Sequence, residues 1–246
     1  MRFAVLTDIH ANREAFEAVL ADAAARGVDR IALLGDVVGY GPDPGWCVDK
    51  AAELVAAGAV CVQGNHDCAA AGGLESLGPN ARQAMDWTKA RLSDGHRVFL
   101  AGLPLTEKVQ DVLFVHASAN DPRSWIYVNS ASMARGAFRS CAERVILCGH
   151  VHLPLLASSD VAGVVRVQDF RMALPIPLIR SRRWLAVVGA VGQPRDGVAQ
   201  AGYAILDTGS NELTFRRVPY DMAKTVQKMR AAGLPEDLAL RLITGQ

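Results

Sequence analysis

Several short apolar runs in this chain stop abruptly at small clusters of histidine, aspartate, asparagine and glycine, and this pattern constrains the fold more than any other feature. The run Phe3 to Thr7 ends on Asp8-Ile9-His10, and Arg30 to Leu34 ends on Gly35-Asp36. Ala59 to Val62 leads to Gly64-Asn65-His66-Asp67, the run from Val112 ends on His116, and Arg144 to Leu147 leads to Gly149-His150-Val151-His152. Between the first three runs lie helical patterns. One is opened by Asn12, a good N-cap, and runs through Phe16, Val19, Leu20 and Ala23 to near Gly27; the other covers Pro44 to Ala57. The β-α-β-α-β order predicts an α/β fold with a largely parallel core and helices on its face. In such sheets, side chains beyond the carboxyl ends of the strands meet in one crevice. Several strand ends can therefore deliver their side chains to a single place.

The middle and end of the chain read differently. A helix is expected through Arg82 to Leu92, a hairpin from Lys108–Gln110 and Val112–His116, and a helix from Ser130 to Arg139. From Leu155 the pattern is mainly β, with strands at Val161–Val167, Leu185–Val188, Tyr203–Asp207 and Glu212–Val218 between Gly, Asp and Asn turns. Asp221 to Leu242 reads as two helices broken at Gly233 and Pro235. No repeat or linker divides the sequence, so a single domain over 1–246 is expected, with a core of about 1–218 and a helical tail of about 219–246.

Composition excludes several classes of function. A chain of 246 residues, half of them hydrophobic, buries roughly 70–75% of its unfolded surface. It needs no structural metal, so any metal it binds serves chemistry. With 26 basic and 25 acidic residues there is no basic excess of the kind a nucleic-acid binder shows. The local cluster Arg180, Arg182 and Arg183 reads as a solvated surface loop, with a phosphate-binding role as the alternative. Five cysteines, Cys47, Cys61, Cys68, Cys141 and Cys148, form no C-x-x-C pair and read as reduced thiols. The N-terminus runs straight into a strand, and no apolar stretch approaches the roughly 20 residues of a membrane span. A cytoplasmic protein is the expectation.

The clusters carry imidazole, carboxylate and amide ligands and no thiolate, which favours Mn, Fe, Zn or Ni. One strand-end histidine alone is as readily structural as metal-binding. Five of them, all at strand ends and accompanied by Asp or Asn, read as a metal centre. His96, placed between a helix and a strand with no partner motif, reads as structural. Asn12 is a helix cap or lies near a bound anion, and Asp67 either orients the His66 ring or serves a turn.

The order D-x-H, G-D, G-N-H-D, H, G-H-x-H resembles the calcineurin-like metallophosphoesterase superfamily. The resemblance implies a four-layer α/β/β/α sandwich, with a short C-terminal helical extension here and two divalent metal ions between the sheets. It implies that Asp8, His10 and His152 bind the first ion, that Asn65, His116 and His150 bind the second, and that Asp36 bridges both. Such a centre hydrolyses phosphate esters with a metal-bridging hydroxide, and the resemblance makes His66 a catalytic group that protonates or holds the leaving oxygen. Two further stretches, Gly35-Asp36-Val37-Val38-Gly39-Tyr40-Gly41-Pro42-Asp43-Pro44 and Val191-Gly192-Gln193-Pro194-Arg195-Asp196-Gly197, resemble a bacterial and archaeal branch of small phosphoesterases. His116-Ala117-Ser118, followed by Trp125 and Tyr127, fits the same branch. That branch includes phosphodiesterases and diadenosine tetraphosphate hydrolases, implying a small phosphorylated, nucleotide-like substrate. Arg195 would contact its phosphate or else pair with Asp196. The chain departs from the branch at Val187-Val188-Gly189-Ala190, where Asn-Pro-Gly-Ser is usual, and at Val198-Ala199-Gln200, where a second Asp-Pro-Arg is usual. The competing expectation is a partner-binding module that keeps the fold without the activity. Retention of His66 and of every implied ligand favours an enzyme. A nuclease would need a basic groove that the sequence does not show.

Overall fold

The computed structural model describes residues 1–73 and 77–246. Its first half contains β1 (Arg2–Leu6), α1 (Arg13–Ala25), β2 (Arg30–Leu33), α2 (Pro44–Ala56) and β3 (Val60–Cys61). Helices α3 (Asn65–Ala70), α4 (Pro79–Lys89) and α5 (Asp94–Gly102) follow, then β4 (Thr106–Val109), β5 (Val112–Val115), α6 (Ala131–Ser140) and β6 (Val145–Cys148). Six strands come next: β7 (Leu155–Ser159), β8 (Val165–Gln168), β9 (Ile176–Pro177), β10 (Arg183–Val187), β11 (Ala201–Asp207) and β12 (Glu212–Val218). The chain ends with α7 (Met222–Ala231) and α8 (Glu236–Thr244).

The strands form two sheets in the orders β3-β2-β1-β11-β12-β9 and β4-β5-β6-β10-β7-β8. Three strands of each run parallel: β3, β2 and β1 at one side of the first sheet, and β5, β6 and β10 in the middle of the second. Alternation along β1 shows how the layers arise. Phe3 and Val5 face the second sheet, packing with Phe114, Leu147 and Ala186. Ala4 and Leu6 face the opposite way, against Phe16 and Val19 of α1 and Val48 of α2. The second sheet likewise turns Ile146, Leu185 and Val187 outward onto Ala134, Ala137 and Phe138 of α6. Because successive strand residues point to opposite faces, apolar runs without alternation become strands buried on both sides. The result is the expected four-layer α/β/β/α sandwich. The two terminal helices bury Val226, Met229, Leu238 and Leu242 against Ala84 of α4.

Several element expectations need correction. His96 does not sit between a helix and a strand but in the first turn of α5, where its ring accepts from the Ser93 amide at 3.3 Å and meets Asp49 at 2.9 Å. Its structural reading stands. The α4 helix begins at Pro79 and stops at Lys89 rather than spanning Arg82 to Leu92. The expected strand at Val161–Val167 is a hairpin, β7–β8, whose turn leaves Val161 exposed; Asp160 Oδ1 accepts from the amides of Ala162 and Val164, both at 3.0 Å. Of the arginine cluster, Arg183 is half-buried and donates to the carbonyls of Phe138, Cys141 and Glu143, while Arg182 donates to Ser158 Oγ at 3.1 Å. These two therefore tie α6 and β7 to β10. Cys47, Cys61, Cys141 and Cys148 are free thiols, and no helix among the described residues is long and apolar enough to cross a membrane.

Candidate metal centre

Beyond the carboxyl ends of the parallel strands, the connecting loops are held by their own backbone ladder. The Asp8 amide donates to the Gly35 carbonyl (3.1 Å), His10 to Asp36 (2.9 Å), Gly149 to His116 (2.8 Å) and Gly192 to Asp8 (2.9 Å). These bonds carry the pairing past the strands into five loops, joining those after β1, β2 and β10 and those after β5 and β6. Two glycines make the approach possible. A Cβ on Gly192 would stand 1.8 Å from the Ile9 carbonyl oxygen, and one on Gly149 would stand 1.9 Å from Thr7 Oγ1.

All seven residues expected as ligands converge, and all are buried. Potential ligand atoms of six of them, joined by His66, form overlapping sets: Asp8, His10 and His152; His10, Asp36 and His66; Asp36, His116 and His150, each set within 4.8 Å. Asp36 Oδ2 lies centrally, 3.6 Å from His10 Nε2 and 3.5 Å from His116 Nε2, while its other oxygen accepts from the His66 amide at 2.8 Å. Asn65 Oδ1 lies 3.2 Å from His116 Nε2.

The hydrogen bonds set which nitrogen faces inward. His10 Nδ1 lies 3.1 Å from the Val38 carbonyl, His116 Nδ1 2.7 Å from Leu34 and His152 Nδ1 2.5 Å from Gln193. A carbonyl can only accept, so each Nδ1 carries the proton and each Nε2 of a neutral ring turns a lone pair inward. Yet His10 Nε2 and His152 Nε2 stand 3.1 Å apart, as do His116 Nε2 and His150 Nδ1. Burial holds the His10 and His152 imidazoles far below their usual range, with nearby His66 and Arg195 adding to the effect. Protonation therefore does not separate the first pair, and a cation between the nitrogens would. Asp8 makes the same point: Oδ2 accepts from Thr7 Oγ1 (3.0 Å) and the His150 amide (2.9 Å), whereas buried Oδ1 has no hydrogen-bond partner and faces His152 Nε2 at 3.4 Å. Orphaned buried acceptors of this kind fit divalent metal.

The remaining site residues fall as follows. The His66 ring lines the cavity over the centre, edge-to-face with His10 and Tyr40 at centroid distances of 4.8 and 4.5 Å. Its buried Nδ1 has no hydrogen-bond partner. Burial lowers its pKa to about 3, with His116 and Arg195 contributing. Asp67 does not orient that ring: its oxygens accept from the Val38 amide (3.2 Å) and the Gly64 amide (3.0 Å), making it a turn carboxylate. Asn12 caps α1 by accepting from Ala15 N at 3.2 Å. Arg195 lines the cavity and donates to Gln193 Oε1 at 3.1 Å, while Asp196 pairs with Arg217 instead.

Sequence reasoning gave no role to Tyr40, whose ring covers His10 at 4.3 Å with the Arg195 guanidinium 5.9 Å from its centroid. Its place between Gly39 and Gly41 was the available signal, since tight glycine turns often present a side chain to a site. Arg123 and Leu77 also line the cavity, which measures about 480 Å³, and neither belongs to a motif.

Known proteins share this architecture. Residues 1–211 match the calcineurin-like phosphoesterase superfamily domain. A crystal structure of a metallophosphoesterase from Sphaerobacter thermophilus is 39% identical, covers 100% of both chains and superposes with a TM-score of 0.89. An uncharacterized protein of Methanocaldococcus jannaschii is 34% identical over 99% of this chain and 98% of its own. A hypothetical protein of Pyrococcus horikoshii, 18% identical, shares the fold across 100% of this chain and 98% of its own, with a TM-score of 0.79. With buried Asp and His sets able to hold metal between two sheets, the chain belongs to the calcineurin-like phosphoesterase superfamily and is a metal-dependent phosphoester hydrolase.

Proposed function

We propose that the protein hydrolyses phosphate esters of small, nucleotide-like molecules at a two-metal centre. The observation that carries this reading is the position of Asp36 Oδ2, nearly equidistant from the inward nitrogens of His10 and His116 and common to two ligand sets. Asp8, His10 and His152 would hold one ion, Asn65, His116 and His150 the other, and Asp36 both. Two divalent ions there, manganese being one candidate, would acidify water to a nucleophile and withdraw charge from the phosphoryl oxygens.

The chain's own groups do the rest. Carbonyl bonds from Val38, Leu34 and Gln193 fix three imidazoles in the ligand tautomer. Arg195, in reach of the cavity, pairs the non-reacting phosphate oxygens. His66 stands where the leaving oxygen departs. Its lowered pKa makes it a neutral ring with one N–H to donate; a bound phosphate anion raises its basicity and favours the protonated form that can pass a proton on. The free thiols of Cys47, Cys61, Cys141 and Cys148 support a reducing compartment such as the cytoplasm, and packing of the tail on α4 supports a single domain over 1–246.

Substitution separates these roles. His66→Ala should keep metal content and lower kcat roughly 10²–10⁴-fold on a poor leaving group. Asp36→Ala should lose metal. Full metal stoichiometry in Asp36→Ala, measured by atomic emission, would remove the bridging role, and wild-type kcat in His66→Ala would remove His66 from the reaction.

A further inference from the structure

The cavity above the metal-ligand cluster extends well beyond it. Its far wall is the segment after β5, residues 121–127, which supplies Arg123, Ser124, Trp125 and Tyr127. This segment is tightly specified. A 3₁₀ turn spans Pro122–Ser124, and Asp121 and Trp125, at its two ends, both hold left-handed backbone, with φ of 93° and 49°. Asp121 accepts from Ser124 Oγ at 2.5 Å. Non-glycine residues in this region are strained and cluster where a side chain must be aimed.

The side chains it presents have no structural task that accounts for their placement. Tyr127 lies stacked on His150, centroids 4.2 Å apart and planes at 19°, yet it remains 49% exposed. One face is therefore fixed by a metal-ligand imidazole, and the rest of the ring is open to the cavity. Trp125 stands edge-on to His116 at 5.9 Å. Arg123 is exposed and, among the described residues, forms no hydrogen bond or ion pair. Together with Arg195 it gives the lining two permanent cations against the single carboxylate of Asp36. Leu77 and Ala81 form an apolar stretch of the same lining. A fixed aromatic face, an uncommitted guanidinium and an apolar flank match a leaving group with a flat ring and a second anion.

We propose that residues 121–127 form a leaving-group subsite in which Tyr127 stacks a nucleobase and Arg123 pairs a second phosphate, so that the preferred substrate is a nucleotide carrying at least one phosphate beyond the one attacked. The inference rests on the phosphoesterase reading above and narrows its substrate class. For a nucleoside diphosphate, the water oxygen bonds to the terminal phosphorus and the bridging P–O bond breaks. Its electron pair leaves on the nucleoside monophosphate, and inorganic phosphate and one proton are released. A ring stacked on the outer face of Tyr127 stands roughly 9–11 Å from the His150 ring, counting the 4.2 Å already spanned and one aromatic stacking distance. That gap accommodates a sugar and the second phosphate.

Four substrates for the Mn²⁺-loaded full chain isolate the contributions: ADP with both features, AMP with the ring only, pyrophosphate with the second phosphate only, and glycerol phosphate with neither. ADP should have the highest kcat/KM. Arg123→Ala should lower the ADP-to-AMP ratio about tenfold or more, as expected for a lost charge-assisted bond. Tyr127→Ala should lower the ADP-to-pyrophosphate ratio by a similar factor, as expected for a lost stacking face. As a readout independent of turnover, calorimetric titration with the non-hydrolysable α,β-methylene analogue of ADP should show weaker binding to both variants. Equal kcat/KM for ADP and glycerol phosphate in the wild type, or ratios and analogue binding that neither variant alters, would overturn the subsite. Should the wild type turn over none of the four substrates, the phosphoesterase reading fails, and the analogue titration still decides the subsite.

Discussion

Asp8, His10, Asp36, His150 and His152 share a backbone property as well as a destination: all five have positive φ, between 48° and 67°. Aspartate and histidine tolerate this region better than branched or bulky residues, and here it turns each chain sharply off its strand toward the centre. The metal-capable side chains at these positions were legible in the sequence; their strained backbone was not, because nothing local marks a left-handed residue that is not glycine. Asp8 leads to a prediction at this scale. Burial raises its pKa to about 7, partly offset by His116, so at pH 6 the metal-free protein holds a proton there that an arriving cation must expel. Mn²⁺ affinity should fall as pH drops below about 7, approaching tenfold per unit. Burial keeps His66 and His150 neutral down to about 3 and 2, so they add no slope in that range. Calorimetric Kd values from pH 5.5 to 8 would show it; a flat profile would mean that Asp8 does not gate metal entry.

Among the elements, the terminal helices have the least obvious task. They lie outside the segment that matches the superfamily domain, yet they touch three site loops. Thr225 Oγ1 donates to Asn12 Oδ1 at 3.1 Å, Lys228 spans Glu14 (2.6 Å) and Asp43 (2.7 Å), and the Gly245 carbonyl accepts from the Gly197 amide at 2.7 Å, just past Arg195. Gly245 has φ of 69°, and a Cβ there would stand 2.7 Å from Val198 N. Gly245→Val should therefore loosen the 191–197 loop, raising KM severalfold with metal content intact. If steady-state kinetics show kcat falling with KM unchanged, the tail does not position Arg195. Element boundaries with explicit punctuation were readable: Pro44 opens α2, and Gly233 and Pro235 lie between α7 and α8. The α5 helix was missed because only Leu100 on it is fully buried while Val98 is 72% exposed, leaving a weak apolar stripe amid two glycines.

For the molecule as a whole, the two sheets bury a shared apolar layer built around Phe3, Phe114 and Phe215, and at one edge of that layer sits a polar pocket of facing lone pairs. Metal that neutralises them binds the folded state alone. Chelation should thus lower stability by about 2.7 kcal/mol from a starting metal concentration of 100 Kd, a Tm decrease of roughly 5–10 °C for a chain this size. Thermal unfolding with and without EDTA measures it, and an unchanged Tm would argue against metal in the native centre.

The sequence alone determined the available chemistry and its approximate address: which side-chain types could hold metal, that each sits where an apolar run stops, and that strand and helix alternate through the first half. These features are local, because periodicity and caps act over a few residues. Only the tertiary structure decided the encounters. His10 and His152 meet across 142 positions, and His116 meets His150 because β5, β6 and β10 lie side by side in one register. It also decided that Asp67 serves the turn and not the His66 ring, that Asp196 takes Arg217 and not Arg195, and that Tyr40, Arg123 and Tyr127 wall one cavity. Such pairings follow from sheet register and the approach of distant loops, and no short-range pattern in the chain encodes them.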